Sequence, residues 1–316
     1  MTHTPFPPPD PSDGPPRVVY VNGAYAPAAE AMVSVFDRGF LFGDGVYEVS
    51  SVLEGGLVDN AAHMARLRRS LEALSIPSPG RDAEIEAMQR TLIARNQLVE
   101  GVVYLQVSRG VAERSFDWPS AETPPSLIAF TQAKRIIDDP VAQRGLAVAC
   151  VPDLRWKRRD IKTVNLLPAS WAKMQARAAG ADDAWMVEAD DDGVERVTEG
   201  SSNNAYIVTT AGEILTRPRS NAILHGITRR AVLRLVEAEG LQLTERAFTV
   251  AEARAAAEAF VTSASTFVTP VTRLDGAPLG DGAPGPITRR LRALYIEMAR
   301  AEARADARKS AARAAE

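Results

Sequence analysis

From Val18 to Arg300 the chain alternates between two apolar rhythms, one repeating every second residue and one close to every 3.6. That alternation restricts it to folds in which strands and helices share a core. Val18–Val21 ahead of Asn22-Gly23 reads as a strand entering a tight hairpin turn. Val46–Leu53 ahead of Glu54-Gly55-Gly56-Leu57 reads as a second hairpin, with Tyr47, Val49, Ser51 and Leu53 on one face. Asn60 opens a helix carrying Met64, Leu67, Leu71 and Leu74 at helical spacing, and a second helix over Arg81–Val99 ends near Asn96. Gly101–Gly110 and Ser126–Thr131 are rich in strand formers, so residues 17–132 are expected to form a small α+β domain. The polar stretch 133–140 reads as a link between domains. Beyond it, residues 141–300 are expected to form a larger domain. Its strands are placed at Leu146–Leu154, Asp183–Glu188, Ala205–Thr209, Glu213–Leu215 and Ala259–Thr262. Its helices are placed at Pro168–Gly180, Thr228–Gly240, Thr249–Ala257 and Pro286–Arg300, with Gly240 as a stop. Residues 1–16 hold seven of the 21 prolines and read as an extended or disordered tail. Residues 301–316 are an Ala/Arg-rich tail that prolongs the last helix before fraying.

Composition removes several function classes. A net charge of -3 and a pI near 5.8 lack the basic excess of a nucleic-acid binder. Cys150 is the one cysteine, which forbids an internal disulfide and fits a reducing, cytoplasmic setting. His3, His63 and His225 are scattered with no metal-ligand spacing, so no metal is expected. No apolar run reaches the roughly 18 residues of a membrane span, and the first residues are prolines rather than a secretory apolar core.

Gly280-Asp281-Gly282-Ala283-Pro284-Gly285 matches the dinucleotide fingerprint literally. The flanking prolines and the missing strand–helix context mark it as a surface turn. Lysines are informative because there are five among 37 basic side chains. Lys134 lies in the link, Lys157 in the cluster Arg155-Trp156-Lys157-Arg158-Arg159, Lys173 on an Ala-rich helix and Lys309 in the tail. Lys162 alone sits among Ile161, Val164, Leu166 and Leu167. An amine held among apolar neighbours loses its preference for the charged form and becomes a nucleophile, the condition for a Schiff-base lysine; a snorkelling structural lysine gives the same pattern. Thr198–Asn203 (TEGSSN) places Glu199 in a small Gly/Ser turn, either an ordinary loop or a carboxylate aimed at a ring nitrogen beside a flat ligand. His225-Gly226-Ile227-Thr228 runs into a helix whose free N–H groups suit a phosphate.

Five segments in this order carry a resemblance: Phe36–Val49 (FDRGFLFGDGVYEV), Asp160–Leu167 (DIKTVNLL), Thr198–Asn203, Ile223–Arg229 (ILHGITR) and Phe260–Val271. From about Val18 to Tyr295 the sequence resembles the fold type IV pyridoxal-phosphate enzymes, and among them the D-amino-acid aminotransferases. The resemblance implies a two-domain fold, a small α+β domain plus a larger mixed, β-barrel-like domain with surrounding helices. It also implies that pyridoxal 5'-phosphate is bound by Lys162 as a Schiff base. Glu199 would hold the pyridine nitrogen, and Arg66, Ile227, Thr228, Ser263 and Ala264 the phosphate. A threonine is frequent in the family where Ala264 stands.

On the substrate side the resemblance assigns Tyr47 and Arg114 to the carboxylate, Arg114 reaching across a homodimer with bidentate geometry. Phe116 stands where the D-specific pattern has histidine, which removes a donor and adds apolar bulk. The implied reaction moves an amino group from a D-amino acid to a 2-oxo acid such as 2-oxoglutarate or pyruvate. Branched-chain L-amino-acid aminotransferases, aminodeoxychorismate lyases and (R)-amine transaminases are rival readings on the same fold, and a non-catalytic binding protein is a rival of another class.

Overall fold

The computed structural model describes residues 16–190 and 192–315, so all but Pro16 of the Pro-rich stretch lies outside the described residues. Two compact units emerge. One takes in the chain as far as Lys134, the segment Lys162–Asn165 and the chain from Glu302; the other takes in Arg135–Ile161 and Leu166–Ala301.

The first unit contains β1 (Val18–Val21), β2 (Ala24–Pro27), α1 (Arg38–Phe42), β3 (Gly45–Leu53), β4 (Gly56–Val58), α2 (Asn60–Ala73), α3 (Asp82–Arg95), β5 (Gly101–Ser108) and β6 (Ser126–Ala133). Its sheet runs β2-β1-β6-β5-β3-β4, with every pairing antiparallel. Both expected hairpins form, and their turns use left-handed backbone at Asn22 and Gly23 and at Glu54 and Gly55. The helical stripe of α2 buries Met64, Leu67 and Leu71, while Val52, Leu57, Ile93, Leu98 and Val103 gather in a core cluster between strands and α3.

The second unit contains α4 (Pro140–Arg144), β7 (Leu146–Pro152), α5 (Leu167–Ala178), β8 (Asp183–Ala189), β9 (Glu195–Gly200), β10 (Asn204–Val208), β11 (Ile214–Thr216), α6 (Ile227–Ala238), β12 (Leu243–Glu245), α7 (Val250–Arg254), β13 (Glu258–Ser263), β14 (Phe267–Leu274), β15 (Ala277–Pro278) and the start of α8 (Pro286–Ala315). Its nine-stranded sheet runs β12-β11-β10-β13-β14-β7-β8-β9, with β15 on β14, and mixes parallel pairs (β11–β12, β14–β7, β7–β8) with antiparallel ones. Trp185, Ile207, Leu215, Phe248 and Val261 fill one core, and Ala172 and Ala176 of α5 pack on Ala149, Ala184 and Met186. The fold class expected from the sequence, α+β with a mixed sheet in the larger unit, is the one observed. Among the described residues no helix is long and apolar enough to cross a membrane.

Three differences have physical reasons. Thr198, Glu199 and Gly200 lie in β9 rather than in a turn; the turn begins at Ser201, where the Gly/Ser content of the segment masks the strand before it. β14 is a central strand despite Pro270, which sits opposite Phe260 in the register with β13. The last helix continues to Ala315, and its far end is bonded within the first unit. The Asp59 amide donates to Glu302, Leu57 N donates to Asp306, and Arg90 pairs with Asp306. Gly56 permits this approach, since a Cβ there would lie 1.9 Å from the Ala303 carbonyl oxygen. The rejected glycine-rich segment precedes α8, and the first amides of that helix are already taken: Ile287 N and Thr288 N donate to Glu258 at 3.0 and 2.8 Å.

Candidate active site

In the first unit the site is built from the edge of β3. The short β4 pairs only with Ser51–Leu53, which leaves the Gly45–Tyr47 edge of β3 open to another segment. The segment 162–165 takes that edge. Tyr47 N donates to Lys162 O at 3.0 Å, Val164 N donates to Gly45 O at 3.1 Å, and Val46 and Thr163 form an antiparallel bridge. Asn165 Nδ2 adds a bond to Gly43 O at 3.1 Å. The half-buried Lys162 therefore has a fixed backbone, and its Nζ lies 4.1 Å from the centroid of the Tyr47 ring. Tyr47 in turn stacks on Tyr104 (5.5 Å between centroids), and Tyr104 on Phe130 (4.8 Å). Burial pushes the Tyr104 phenol up, and its hydroxyl donates to Gln106 Oε1 at 2.8 Å.

Successive strand residues face opposite ways, so Glu48 points away from Tyr47 toward α2. There it is fully buried and accepts from Arg66 Nε and Nη2, both at 2.7 Å, and from His63 Nδ1 at 2.7 Å. His63 and Arg66 reach it together because they are three residues apart on one helix face. Burial works to raise the Glu48 carboxyl, but the Arg66 charge and the Arg66 and His63 bonds outweigh it and hold it at about 2. Burial keeps His63 below its ordinary value against the opposing pull of Glu48.

Arg114 and Phe116 are exposed on the loop between β5 and β6. The Arg114 guanidinium carbon lies 5.5 Å from the Phe42 ring and 5.7 Å from the Phe116 ring, and the two rings meet edge-on at 5.6 Å. Buried Arg38 secures the loop by donating to Ser115 O at 2.8 Å, while Asp44 accepts from both Arg38 and Arg109 at 2.8 Å.

In the second unit Glu199 is buried on β9. Its Oε1 accepts from Arg155 Nη1 at 2.5 Å, and its Oε2 from Asn204 Nδ2 at 2.8 Å. Leu224 N lies 3.1 and 3.2 Å from the two oxygens. Burial pushes the carboxyl above its ordinary value, against the pull of Arg155 and the Leu224 amide. Asn204 also donates to Leu224 O at 3.0 Å, which ties Glu199 to the turn leading into α6. At Gly226 a Cβ would fall 2.1 Å from Asn204 Oδ1, so only glycine lets that turn close on Asn204. Gly226 is the N-cap of α6 and supplies no side-chain cap, so the first amides, at Ile227 and Thr228, keep their donor capacity. Ser263 ends β13, and its hydroxyl lies 2.8 Å from Thr266 Oγ1 in the turn that contains Ala264.

The candidate residues thus form four groups: Lys162 with Tyr47, Arg66 with Glu48, Arg114 with Phe116, and Glu199 with the turn before Ile227 and Thr228. Glu48, His63, Arg155 and Asn204 carry no site signal of their own in the sequence. Arg155 was visible there only as part of a charge cluster.

The model of the amino-transferase class IV family matches residues 45–274. The chain belongs to that family. The D-alanine aminotransferases of Staphylococcus aureus (strain MSSA476) and Bacillus licheniformis are each 40% identical to it, over 275 and 273 residues, covering 86% of this chain and 94% and 93% of theirs. Among solved structures, a T.th. branched-chain amino acid aminotransferase complexed with N-(5'-phosphopyridoxyl)-L-glutamate superposes with a TM-score of 0.80 at 26% identity, covering 91% of this chain and 95% of that one. The Escherichia coli branched-chain amino acid aminotransferase shares the fold, with a TM-score of 0.78 at 21% identity over 91% and 96% of the two chains. As an aminotransferase, the protein takes small amino and oxo acids as substrates.

Proposed function

We propose that this aminotransferase uses pyridoxal 5'-phosphate to move an amino group from a D-amino acid, D-alanine or a similar one, to a 2-oxo acid such as 2-oxoglutarate or pyruvate. The observation that carries this reading is Lys162. Its backbone is bonded to the edge of β3, its amine lies on the Tyr47 ring, and among the described residues it forms no ion pair. Lys157, by contrast, pairs with Glu188, and Lys173 lies 3.8 Å from Asp183. The D-amino-acid reading is favoured over the branched-chain one because the D-alanine aminotransferases are 40% identical and the branched-chain structure 26%.

The other residues fit the cofactor. Glu199 is a buried carboxylate with the charge to face a ring nitrogen, and the uncapped start of the twelve-residue α6 fits a phosphate. When bound, the cofactor supplies a carbonyl that condenses with amines and a ring that accepts electron density from the amino-bearing carbon. Lys162 Nζ would hold the cofactor and, as a free amine, would take up and deliver the substrate Cα proton. Glu199 holds a proton at the ring nitrogen. Ile227 and Thr228 bind the phosphate with backbone and hydroxyl groups, assisted by Arg66, Ser263 and the Ala264 turn. Tyr47 binds the substrate carboxylate.

Arg114 serves the neighbouring subunit's site, so the active unit is a homodimer. Exposed Leu167, Trp171 and Met174 on one face of α5, with exposed Phe40, Phe116 and Trp118, supply apolar surface for such a contact. The setting is cytoplasmic. Borohydride reduction of the yellow protein is expected to fix the cofactor to the peptide containing Lys162, and Lys162→Ala to abolish transfer from D-alanine to 2-oxoglutarate. Turnover that survives in that variant would sink the assignment.

A further inference from the structure

Glu199 cannot hold its charge unaided. It is 3% exposed, and a carboxylate taken from water to such a place takes up a proton unless a cation and hydrogen bonds compensate. The cation is Arg155, and its orientation is fixed from the side opposite Glu199. Arg155 Nε and Nη2 donate to Asp153 Oδ1 and Oδ2 at 3.0 and 2.7 Å, and the remaining Nη1 donates to Glu199 Oε1 at 2.5 Å. Asp153 is itself held, since it accepts from Thr198 Oγ1 at 2.6 Å and its own amide donates to Val187 O at 2.8 Å. Thr198 precedes Glu199 on β9, so the chain of bonds closes on itself.

A planar guanidinium can serve two carboxylates at once; an ammonium at the same place could not hold both geometries. Glu199 Oε1 receives Arg155 and the nearer contact of Leu224 N. Oε2 receives Asn204 and the other contact of that same shared amide, at 3.2 Å. A carboxylate offers about four acceptor positions, and three donors reach this one, so Glu199 keeps capacity for one more.

We propose that Arg155, clamped by Asp153, is the positioning residue that keeps Glu199 charged and turned so that its remaining acceptor position recognises the protonated ring nitrogen of the cofactor. This rests on the role proposed above for Glu199, and the test separates the two. Cofactor-free full-length protein is titrated with pyridoxal phosphate and with 1-deazapyridoxal phosphate, in which a C–H replaces the ring nitrogen, and the ratio of the two dissociation constants is read by quenching of tryptophan fluorescence.

A hydrogen bond to a charged group separates the two ligands by about tenfold or more in the wild type. Glu199→Gln and Arg155→Met are each expected to bring the ratio close to one, Arg155→Lys to recover part of it, and the double variant to match Glu199→Gln alone. Asp153→Asn, which leaves the arginine in place but releases it, is expected to reduce the ratio severalfold. It keeps the proposal testable if Arg155→Met does not fold.

If the wild type does not discriminate, or Glu199→Gln leaves the ratio unchanged, the role of Glu199 is wrong and the proposal goes with it. If Glu199→Gln abolishes discrimination while Arg155→Met or Asp153→Asn keeps it in full, the role of Glu199 stands and the proposal for Arg155 is overturned. Equal weakening of both ligands by Arg155→Met, with the ratio intact, overturns it too, because that is what a purely structural role produces.

Discussion

Replacing Glu48 by glutamine removes one negative charge from a buried cluster while nearly preserving its shape. In the wild type that carboxylate accepts two bonds from Arg66 and one from His63, each at 2.7 Å, with no solvent contact. Two routes give the magnitude. Breaking a buried ion pair by removing one partner costs about 3–5 kcal/mol. Independently, the interval between about 2 in the folded protein and the ordinary value of 4.5 corresponds to about 3 kcal/mol at roughly 1.4 kcal/mol per pH unit. A carboxyl whose folded value is depressed contributes its stability above the unfolded value, near 4.5, and loses it as the pH falls through the folded value, near 2. Glu48→Gln is therefore expected to lower the unfolding free energy by about 3 kcal/mol at pH 5, and the deficit to shrink steadily toward pH 2.5. Urea denaturation of cofactor-free wild type and variant at intervals from pH 5 downward measures both. A deficit below about 1 kcal/mol, or one independent of pH, would refute the reasoning.

Phe116→His restores a donor beside Arg114 and is expected to lower KM for D-alanine by up to about tenfold with little change in kcat; an unchanged KM would place position 116 outside the carboxylate trap. Gly226→Ala drives a Cβ into Asn204 Oδ1 and is expected to loosen both Glu199 and the start of α6, weakening pyridoxal-phosphate affinity at least about tenfold in a direct titration, and wild-type affinity would count against the close fit. Thr249→Ala deletes the hydroxyl that accepts from Glu252 N in a capping box and is expected to cost about 1 kcal/mol in urea unfolding without altering cofactor affinity.

The fold was most legible where local chemistry and tertiary context agree. Asn22-Gly23 and Glu54-Gly55 announce their hairpins because both turns need left-handed backbone. The α2 stripe of Met64, Leu67 and Leu71 announces its buried face. β9 and β14 were hidden for opposite reasons: Glu199-Gly200-Ser201-Ser202 has turn composition, and Pro270 is a poor strand residue that this sheet accommodates. Within the site, Lys162 stood out because apolar neighbours surround it in sequence. Arg155 did not, because the groups that give it meaning are Asp153, two residues before it, and Glu199, 44 residues beyond it. A cluster of five residues containing four cations reads as a solvated surface until the carboxylates beside it are known. Glu48 carries no such signal, since nothing in a strand sequence tells that the helix opposite presents an arginine and a histidine to it.

The central claim, that Lys162 and Glu199 serve transamination of D-amino acids, is tested most directly by single-turnover bleaching of the pyridoxal form. D-alanine, D-glutamate, L-leucine, (R)-1-phenylethylamine and aminodeoxychorismate are offered separately, and loss of the yellow chromophore is followed. The expected result is rapid bleaching by D-alanine or D-glutamate, with release of the matching 2-oxo acid. Rapid bleaching by L-leucine and by neither D-amino acid would contradict it.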